Sequence, residues 1–202
     1  MFIVFEGIDG CGKSTQFKKF HEYIYNFSKY NHILSTREPY KSKEIREILK
    51  QDEDPYSKAK QLTELFIKDR EEHIKELIKP NIDKSIILCD RYKYSTICYQ
   101  TAQGLDINWL AELHNDMPTP DLTFIFDVPI ETAFRRMKKD SRITEQKFEK
   151  DRDFLEKVRK NYIKIKDIFP NENIILLNGD QSVEAIFNEM QKYFLQTFKN
   201  KK

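Results

Sequence analysis

Long hydrophobic runs and paired cysteines are both missing from this 202-residue sequence. The longest apolar runs, such as Ile86–Cys89, are far shorter than the roughly 20 residues that span a bilayer, so no membrane partner is predicted. The three cysteines are an odd number without metal-ligand spacing. They argue against a disulfide framework and favour reduced thiols in a cytoplasmic protein. Met1–Phe5 leads straight into Glu6, so no signal peptide is expected.

A large charge of one sign is absent as well. The sequence has 35 Lys and Arg against 33 Asp and Glu, a net charge of +2, which predicts no nucleic-acid partner. Apolar residues make up 39% of the chain, enough for a globular core. We expect a single domain over 1–202, because domains usually take roughly 100–200 residues.

Glycine is rare, and its distribution is uneven. The chain has only five glycines, and Gly7, Gly10 and Gly12 lie within six residues. A sequence that concentrates glycine in this way needs unusual backbone conformations at that place.

Five short apolar runs alternate with segments of helical spacing. The predicted strands are Phe2–Phe5, His32–Thr36, Ser85–Cys89, Leu122–Phe126 and Asn173–Leu177. One predicted helix, Ser57–Ile78, is expected to end because Pro80 follows it. Continuous apolar strands that alternate with helices predict an α/β fold with a parallel sheet covered by helices on both faces.

The glycine cluster belongs to a phosphate-binding motif. Residues 7–14 read Gly-Ile-Asp-Gly-Cys-Gly-Lys-Ser and match G-x-x-x-x-G-K-[ST] between a predicted strand and a predicted helix. Glycines allow backbone N–H groups to surround phosphate oxygens, and the helix N-terminus adds partial positive charge. Lys13 supplies a full charge, and the Ser14 hydroxyl is a ligand for Mg²⁺. The alternative is a strand-to-helix turn without ligand.

A carboxylate and several arginines predict a second phosphate nearby. Asp90 ends a predicted strand, at the sheet edge where ligands bind, and would face the phosphate loop and Mg²⁺. It could instead cap a helix or pair with Arg91. Guanidinium groups suit an acceptor phosphate. Arg37 follows the second predicted strand, Arg46 and Arg70 lie on the two predicted helices after it, and Arg91 follows Asp90. Arg46 alone could equally lie on a solvated helix face.

Phe66 and Arg70 lie four residues apart, on one face of a predicted helix. Phe66 could stack on a planar base while Arg70 donates to a base oxygen. By itself, an aromatic residue on a helix is more often part of the core.

Motifs in this order along the chain resemble the thymidylate kinase family. The matching segments are Phe5–Thr15, Thr36–Pro39, Glu44–Arg46, Leu65–Arg70, Asp90–Gln100, Pro120–Leu122, Phe126–Pro129 and Phe148–Tyr162. The resemblance implies a P-loop kinase three-layer sandwich with a short lid at about 138–150. It also implies transfer of the γ-phosphoryl group of ATP to dTMP with Mg²⁺, and a homodimer.

The resemblance implies roles for individual residues. Residues that would contact ATP are Gly7, Ile8, Asp9, Gly10, Cys11, Gly12, Lys13, Ser14, Thr15 and Arg136. Residues that would contact dTMP are Asp9, Arg37, Arg46, Phe66, Arg70, Arg91, Ser95, Thr96, Tyr99 and Gln100. Phe66 would stack on thymine, Arg70 would reach its O4, and Tyr99 would disfavour a ribose. Ser14 and Asp90 would hold Mg²⁺.

The glycine at position 10 indicates which part of the chain supplies the catalytic cations. Some family members carry arginine there, while others place the cations in the lid. Lys13, Asp9 and Arg91 are therefore predicted to act in catalysis together with a lid arginine, Arg142, with Lys147 as second choice. Two departures stand out: the segment from Pro39 to Arg46 is short, and the lid lacks a dense arginine run.

Two other functions fit parts of this pattern. A deoxynucleoside kinase would share the phosphate loop, but its uncharged acceptor needs fewer arginines. A nucleotide-dependent switch would need no acceptor pocket at all.

Overall fold

The computed structural model describes residues 1–27, 32–51, 56–139 and 145–200. Side chains are described throughout these ranges except at 51 and 145–151. Every helix in these ranges is too short or too polar to span a bilayer.

The centre of the fold is a five-stranded parallel sheet in the order β2-β3-β1-β4-β5. The strands are β1 (Phe2–Glu6), β2 (Ile33–Arg37), β3 (Ile86–Asp90), β4 (Leu122–Asp127) and β5 (Ile174–Asn178). All five predicted strands are confirmed to within a residue or two. Their carboxyl ends meet at one edge, which brings Glu6, Arg37, Asp90 and Asp127 together.

Helices cover both faces of the sheet. They are α1 (Lys13–Phe27), α2 (Lys43–Gln51), α3 (Ala59–His73), α4 (Lys79–Asn81), α5 (Lys93–Ala102), α6 (Ile107–Glu112), α7 (Ile130–Lys139), α8 (Glu145–Ile168) and α9 (Val183–Asn200). Helix α1 packs against α9, and α5 packs against α8. The predicted α/β sandwich is confirmed.

The core uses the two faces of β1 differently. Phe5 contacts Phe20 of α1 at 5.7 Å between ring centroids and Phe124 of β4 at 5.8 Å. Phe2 projects from the opposite face, because side chains alternate along a strand, and its ring meets Tyr92 edge-on at 5.1 Å. The aromatic residues of β1 therefore anchor helices on both sides of the sheet.

The prediction that Pro80 ends the third helix is wrong. Helix α3 continues through a π-helical turn, Ile74–Ile78, into α4, where Pro80 occupies the first turn. The amide of Lys79 bonds the carbonyl of Ile74, five residues back. Because the π turn restarts the hydrogen-bond pattern, the missing N–H of Pro80 falls where a helix tolerates it.

Candidate active site

The phosphate loop joins β1 to α1 and surrounds a pocket. Gly7, Gly10 and Gly12 have φ of 140°, 80° and 94°, conformations that only glycine adopts without strain. The pocket has a volume of about 300 Å³ and is lined by Ile8, Asp9, Gly10, Cys11, Gly12, Lys13, Ser14, Thr15, Gln16, Arg136, Lys139, Gly179, Gln181, Val183 and Ile186. The loop thus forms the concave site that its motif predicts.

Gly10 also lies so close to the backbone of α7 that a side chain has no room there. A Cβ built there would collide with the backbone carbonyl of Ala133 in α7. A side chain at this position would therefore require α7 to move away from the phosphate loop.

Alanine at Gly10 is expected to destabilise the protein by about 2 kcal/mol or more, because conformational strain and a backbone collision add. The KM for ATP should rise as well. Alanine at Gly104 is the matched control: its φ is 101°, and a Cβ there meets nothing within 4 Å. Urea denaturation of both variants measures the difference. Equal destabilisation would show that contact with Ala133 is unimportant.

Lys13, Asp90 and Arg37 form a chain of ion pairs at the edge of the sheet. Lys13 Nζ lies 3.1 Å from Asp90 Oδ1, and Arg37 Nη2 lies 3.3 Å from Asp90 Oδ2. Asp90 Oδ1 is buried and accepts no hydrogen bond from the described residues. Asp90 therefore pairs with cations from two other elements and not with Arg91, its neighbour in sequence.

Arg91 connects the phosphate loop to α5. Its Nη2 donates to Asp9 Oδ1 at 2.6 Å, and its Nη1 donates to Ser95 Oγ at 3.1 Å. The guanidinium carbon lies 5.4 Å from the centroid of the Tyr99 ring. Four residues that the sequence predicts for the site, Asp9, Arg91, Ser95 and Tyr99, are thus brought together.

A buried carboxylate, Glu6, lies beneath this group. It accepts hydrogen bonds from the backbone N–H of Tyr92 at 2.7 Å, from Ser95 Oγ at 2.6 Å and from the Tyr162 hydroxyl at 2.9 Å. Burial raises the pKa of Glu6, while the Arg91 charge and these hydrogen bonds oppose the rise. Glu6 therefore fixes the start of α5, and with it the direction of Arg91.

Arg70 lies in a buried polar network. Its Nε donates to Glu38 Oε2 at 2.8 Å, and its Nη2 donates to Thr96 Oγ1 at 2.8 Å and to the carbonyl of Tyr92 at 3.2 Å. Nη1 lies 2.8 Å from His114 Nε2. The Arg70 side chain is only 1% exposed, so the contact with a base that the resemblance implies depends on the little surface that remains.

His114 is held in its neutral form. Burial, with the nearby Arg70 charge, lowers the pKa of His114 from 6.5 to about 3. Nδ1 lies 2.6 Å from the carbonyl of Leu110, an oxygen that can only accept. Nδ1 therefore carries the proton, and Nε2 is free to accept from Arg70.

Stability is expected to fall as the pH drops from about 6.5 toward 3, because unfolded His114 binds a proton that the folded ring does not. Above pH 6.5, neutral His114 makes its full contribution to the free energy of unfolding. Below pH 6.5, the free energy of unfolding falls with a slope that approaches about 1.4 kcal/mol per pH unit. The variant His114→Gln should lose this part of the pH dependence. Urea denaturation at about pH 5 and about pH 7.5 measures it. Identical slopes in both proteins would contradict the assignment.

The other predicted base-pocket residues surround this network. Thr96 and Gln100 lie one turn apart on α5, and both are buried. Gln100 Oε1 is buried and has no hydrogen-bond partner among the described residues. Phe66 is half-buried and lies outside the hydrophobic core that the described residues form. The position of Phe66 favours a role as a stacking surface over the alternative role as a core residue.

Arg46 occupies a fixed place despite its shorter connection. Its Nη2 donates to the carbonyls of Pro39 and Tyr40 at 3.0 and 3.1 Å. Asp69 Oδ1 accepts from the amides of Lys41 and Ser42 at 2.8 and 2.6 Å. A carboxylate from α3 thus holds the turn that precedes α2 and keeps Arg46 beside it.

Arg136 lies at the far side of the pocket. It donates to the carbonyls of Cys11 at 3.2 Å and Gly179 at 2.9 Å, and so joins the phosphate loop to the loop after β5. The predicted lid arginine Arg142 lies outside the described residues, and so does the side chain of Lys147.

Several supporting residues were not identified in the sequence. Glu6, Glu38, Asp69 and His114 all hold predicted site residues. A carboxylate at the end of an apolar strand was a usable indication for Glu6. Nothing in the local pattern around His114 points to a partner 44 positions away.

Comparisons with known proteins agree about the family. The thymidylate kinase family profile matches residues 5–190. The chain is similar to the "Probable thymidylate kinase" of Pyrococcus horikoshii, with 40% identity over 94% of this chain and 93% of that protein. The "Probable thymidylate kinase" of Methanocaldococcus jannaschii is also 40% identical, over 96% and 95% of the two chains. A crystal structure of thymidylate kinase from Ehrlichia chaffeensis superposes with a TM-score of 0.74 at 29% identity, covering 96% and 98%.

Proposed function

Because this chain belongs to the thymidylate kinase family, we propose that it transfers the γ-phosphoryl group of ATP directly to dTMP, with Mg²⁺. The products are dTDP and ADP. The attacking phosphate oxygen of dTMP displaces ADP in line, and no covalent enzyme intermediate forms.

The donor half of the proposal rests on the pocket of the phosphate loop. Backbone N–H groups of residues 7–14 and the N-terminus of α1 would surround the ATP phosphates. Lys13 Nζ, already held at 3.1 Å from Asp90, would balance charge as the γ-phosphoryl group leaves. Arg136, which donates to both loops around the pocket, would lie beside adenine.

The residues present fit Mg²⁺. Asp90 Oδ1 is a buried carboxylate oxygen that faces the Lys13 ammonium at 3.1 Å and accepts no hydrogen bond from the described residues, and Ser14 lies exposed at the start of α1. Mg²⁺ usually takes one or two protein ligands and completes its shell with phosphates and water. When bound, it would neutralise charge on the phosphate oxygens. Ser14 and Asp90 would hold it.

The acceptor phosphate would lie between the arginines and the phosphate loop. Arg37 lies beside Asp90 with its side chain 72% exposed, and Arg91 bridges to Asp9 at 2.6 Å. Both guanidinium groups thus lie at the edge of the sheet beside the phosphate loop. Asp9 would contact the 3′-hydroxyl of the sugar, and the Tyr99 ring beside Arg91 would crowd its C2′ position.

The base pocket offers one acceptor and one donor. Gln100 Oε1 is a buried acceptor without a partner among the described residues, and Arg70 is a donor. Thymine presents the complement, a donor at N3 and an acceptor at O4, whereas cytosine presents an amino donor at C4. The half-buried Phe66 would stack on the ring. This pattern favours dTMP over dCMP.

The observation that carries the proposal is the continuous line of charged groups Lys13, Asp90 and Arg37 beside the pair Asp9 and Arg91. These groups would join the donor pocket to the site of the acceptor across one edge of the sheet. A switch protein would need only the first pocket.

An assay of ADP release across acceptors tests the proposal. We expect turnover with dTMP, little with dCMP, AMP or GMP, and none without added Mg²⁺. Activity on thymidine but not on dTMP would indicate a deoxynucleoside kinase instead. ADP release that no acceptor stimulates would indicate a switch protein.

The resemblance also predicts a homodimer. Light scattering coupled to gel filtration should give twice the 24.3 kDa chain mass, and a monomer mass would refute this part of the proposal.

A further inference from the structure

The guanidinium of Arg70 has five N–H groups, and acceptor atoms of the described residues take up four of them. Nε bonds Glu38, Nη2 bonds Tyr92 and Thr96 and also lies 2.6 Å from Glu38 Oε2, and one Nη1–H faces His114. The second Nη1–H has no acceptor among the described residues. It is the one donor of Arg70 left for a ligand.

The plane of the Arg70 guanidinium is fixed by an aromatic ring against one face and by acceptors along its edges. Its carbon lies 5.4 Å from the centroid of the Tyr92 ring, while Glu38 and Thr96 hold two edges. Because a guanidinium is planar and its N–H groups diverge at fixed angles, these acceptors together set the direction of the remaining Nη1–H. His114 is the acceptor on that same nitrogen and holds the Nη1 edge in place.

We propose that His114 is a positioning residue for base recognition, whose unprotonated Nε2 holds Arg70 so that its remaining N–H points at the O4 atom of the substrate pyrimidine. The inference rests on the proposed function, since it assumes that Arg70 contacts the base. His114 itself touches no substrate.

The chemistry of the network supports this role. His114 is completely buried, and its Nδ1–H donates to the carbonyl of Leu110 at 2.6 Å, which leaves Nε2 as an acceptor. A protonated ring would place a donor against a permanent cation. Glu38, 3% exposed and paired with both Arg70 and His73, supplies the negative charge on the opposite side.

Two substitutions at one position separate the acceptor from the packing. His114→Gln can place an amide oxygen where Nε2 lies, whereas His114→Met has similar bulk and accepts only weakly. Both variants lose the bond to Leu110. A difference between them therefore reports the acceptor facing Arg70.

Steady-state kinetics with dTMP and ATP provide the test. We expect His114→Met to raise the KM for dTMP about ten-fold, which is the loss of one hydrogen bond to a charged group, and to reduce the preference for dTMP over dCMP. The KM for ATP and kcat should change less than about three-fold, since His114 acts only on ground-state binding of the acceptor. His114→Gln should stay within about three-fold of the wild type in every constant.

Failure of the inference differs from failure of the proposed function. Arg70→Lys keeps a charge beside Glu38 but loses the planar fork. If Arg70→Lys raises the KM for dTMP while the two His114 variants behave alike, His114 has no positioning role and the function stands. If Arg70→Lys leaves the KM unchanged, the base contact in the proposed function is wrong, and this inference falls with it.

A measurement on the wild-type protein avoids dependence on the variants folding. Nitrogen-15 NMR of the full chain should show an unprotonated Nε2 and a protonated Nδ1 for His114 throughout about pH 5–8. A protonated Nε2 in that range would overturn the inference.

Discussion

Alanine at Lys13 is expected to lower kcat about 10²- to 10³-fold with dTMP, the loss typical when one group that stabilises transition-state charge is removed. Lys13 is 7% exposed and lies at the start of α1, where its ammonium group faces Asp90. Lys13 is the only lysine or arginine in residues 7–14, so the phosphate loop itself has no second cation to replace it. The same loss should appear with every acceptor.

A neighbouring lysine provides the control. Lys19 also lies on α1 and pairs with Glu184 at 2.7 Å, but its side chain is 32% exposed and faces α9. Lys19→Ala should leave kcat within about two-fold, since an exposed ion pair contributes little. Calorimetry should show that Lys13→Ala still binds dTMP. A loss of less than about ten-fold in kcat would mean that the loop lysine does not act on the transferred group.

Alanine at Arg70 is expected to affect dTMP binding and stability together. The KM for dTMP should rise about 100-fold or more, because the charged donor that we propose for the base is lost and the residues around it lose their support. Removal of the guanidinium also leaves Glu38 buried without its main partner, which costs about 3–5 kcal/mol. Enzyme kinetics and urea denaturation of the same preparation measure the two effects.

A second substitution separates these effects. Glu38→Gln removes the stranded charge and keeps an oxygen that can accept from His73. The double variant with Arg70→Ala should recover about half or more of the lost stability and none of the dTMP affinity. Recovery of both would mean that Arg70 only maintains the fold. Recovery of neither would mean that Glu38 is not the origin of the instability.

The fold was accessible from the sequence because each strand is a short continuous apolar run. Ile86–Asp90 illustrates the rule: four apolar residues are buried between helices, and the carboxylate emerges at the edge. The prediction that the helix ends before Pro80 failed for a physical reason. A π turn moves the register of hydrogen bonds by one residue, and no local pattern in Ile74–Ile78 indicates that turn.

The site was only partly accessible. The phosphate loop is local in sequence, so its geometry followed from the motif. The contacts of Arg70 with Glu38 and His114 span 32 and 44 positions, and they depend on which strands become neighbours in the sheet. Asp90 illustrates the same limit: its partners Lys13 and Arg37 come from α1 and β2, although Arg91 is adjacent in the chain.

The backbone of Arg91 adopts a strained conformation. Its φ of 72° lies in the left-handed region, where a side chain with a Cβ is strained by about 1–3 kcal/mol. Glycine at this position would relax the chain and would also delete the guanidinium that meets Asp9. Selection for heat resistance alone would therefore favour glycine at residue 91 and remove the group that we propose for the acceptor phosphate, so stability engineering of this protein should hold that position constant.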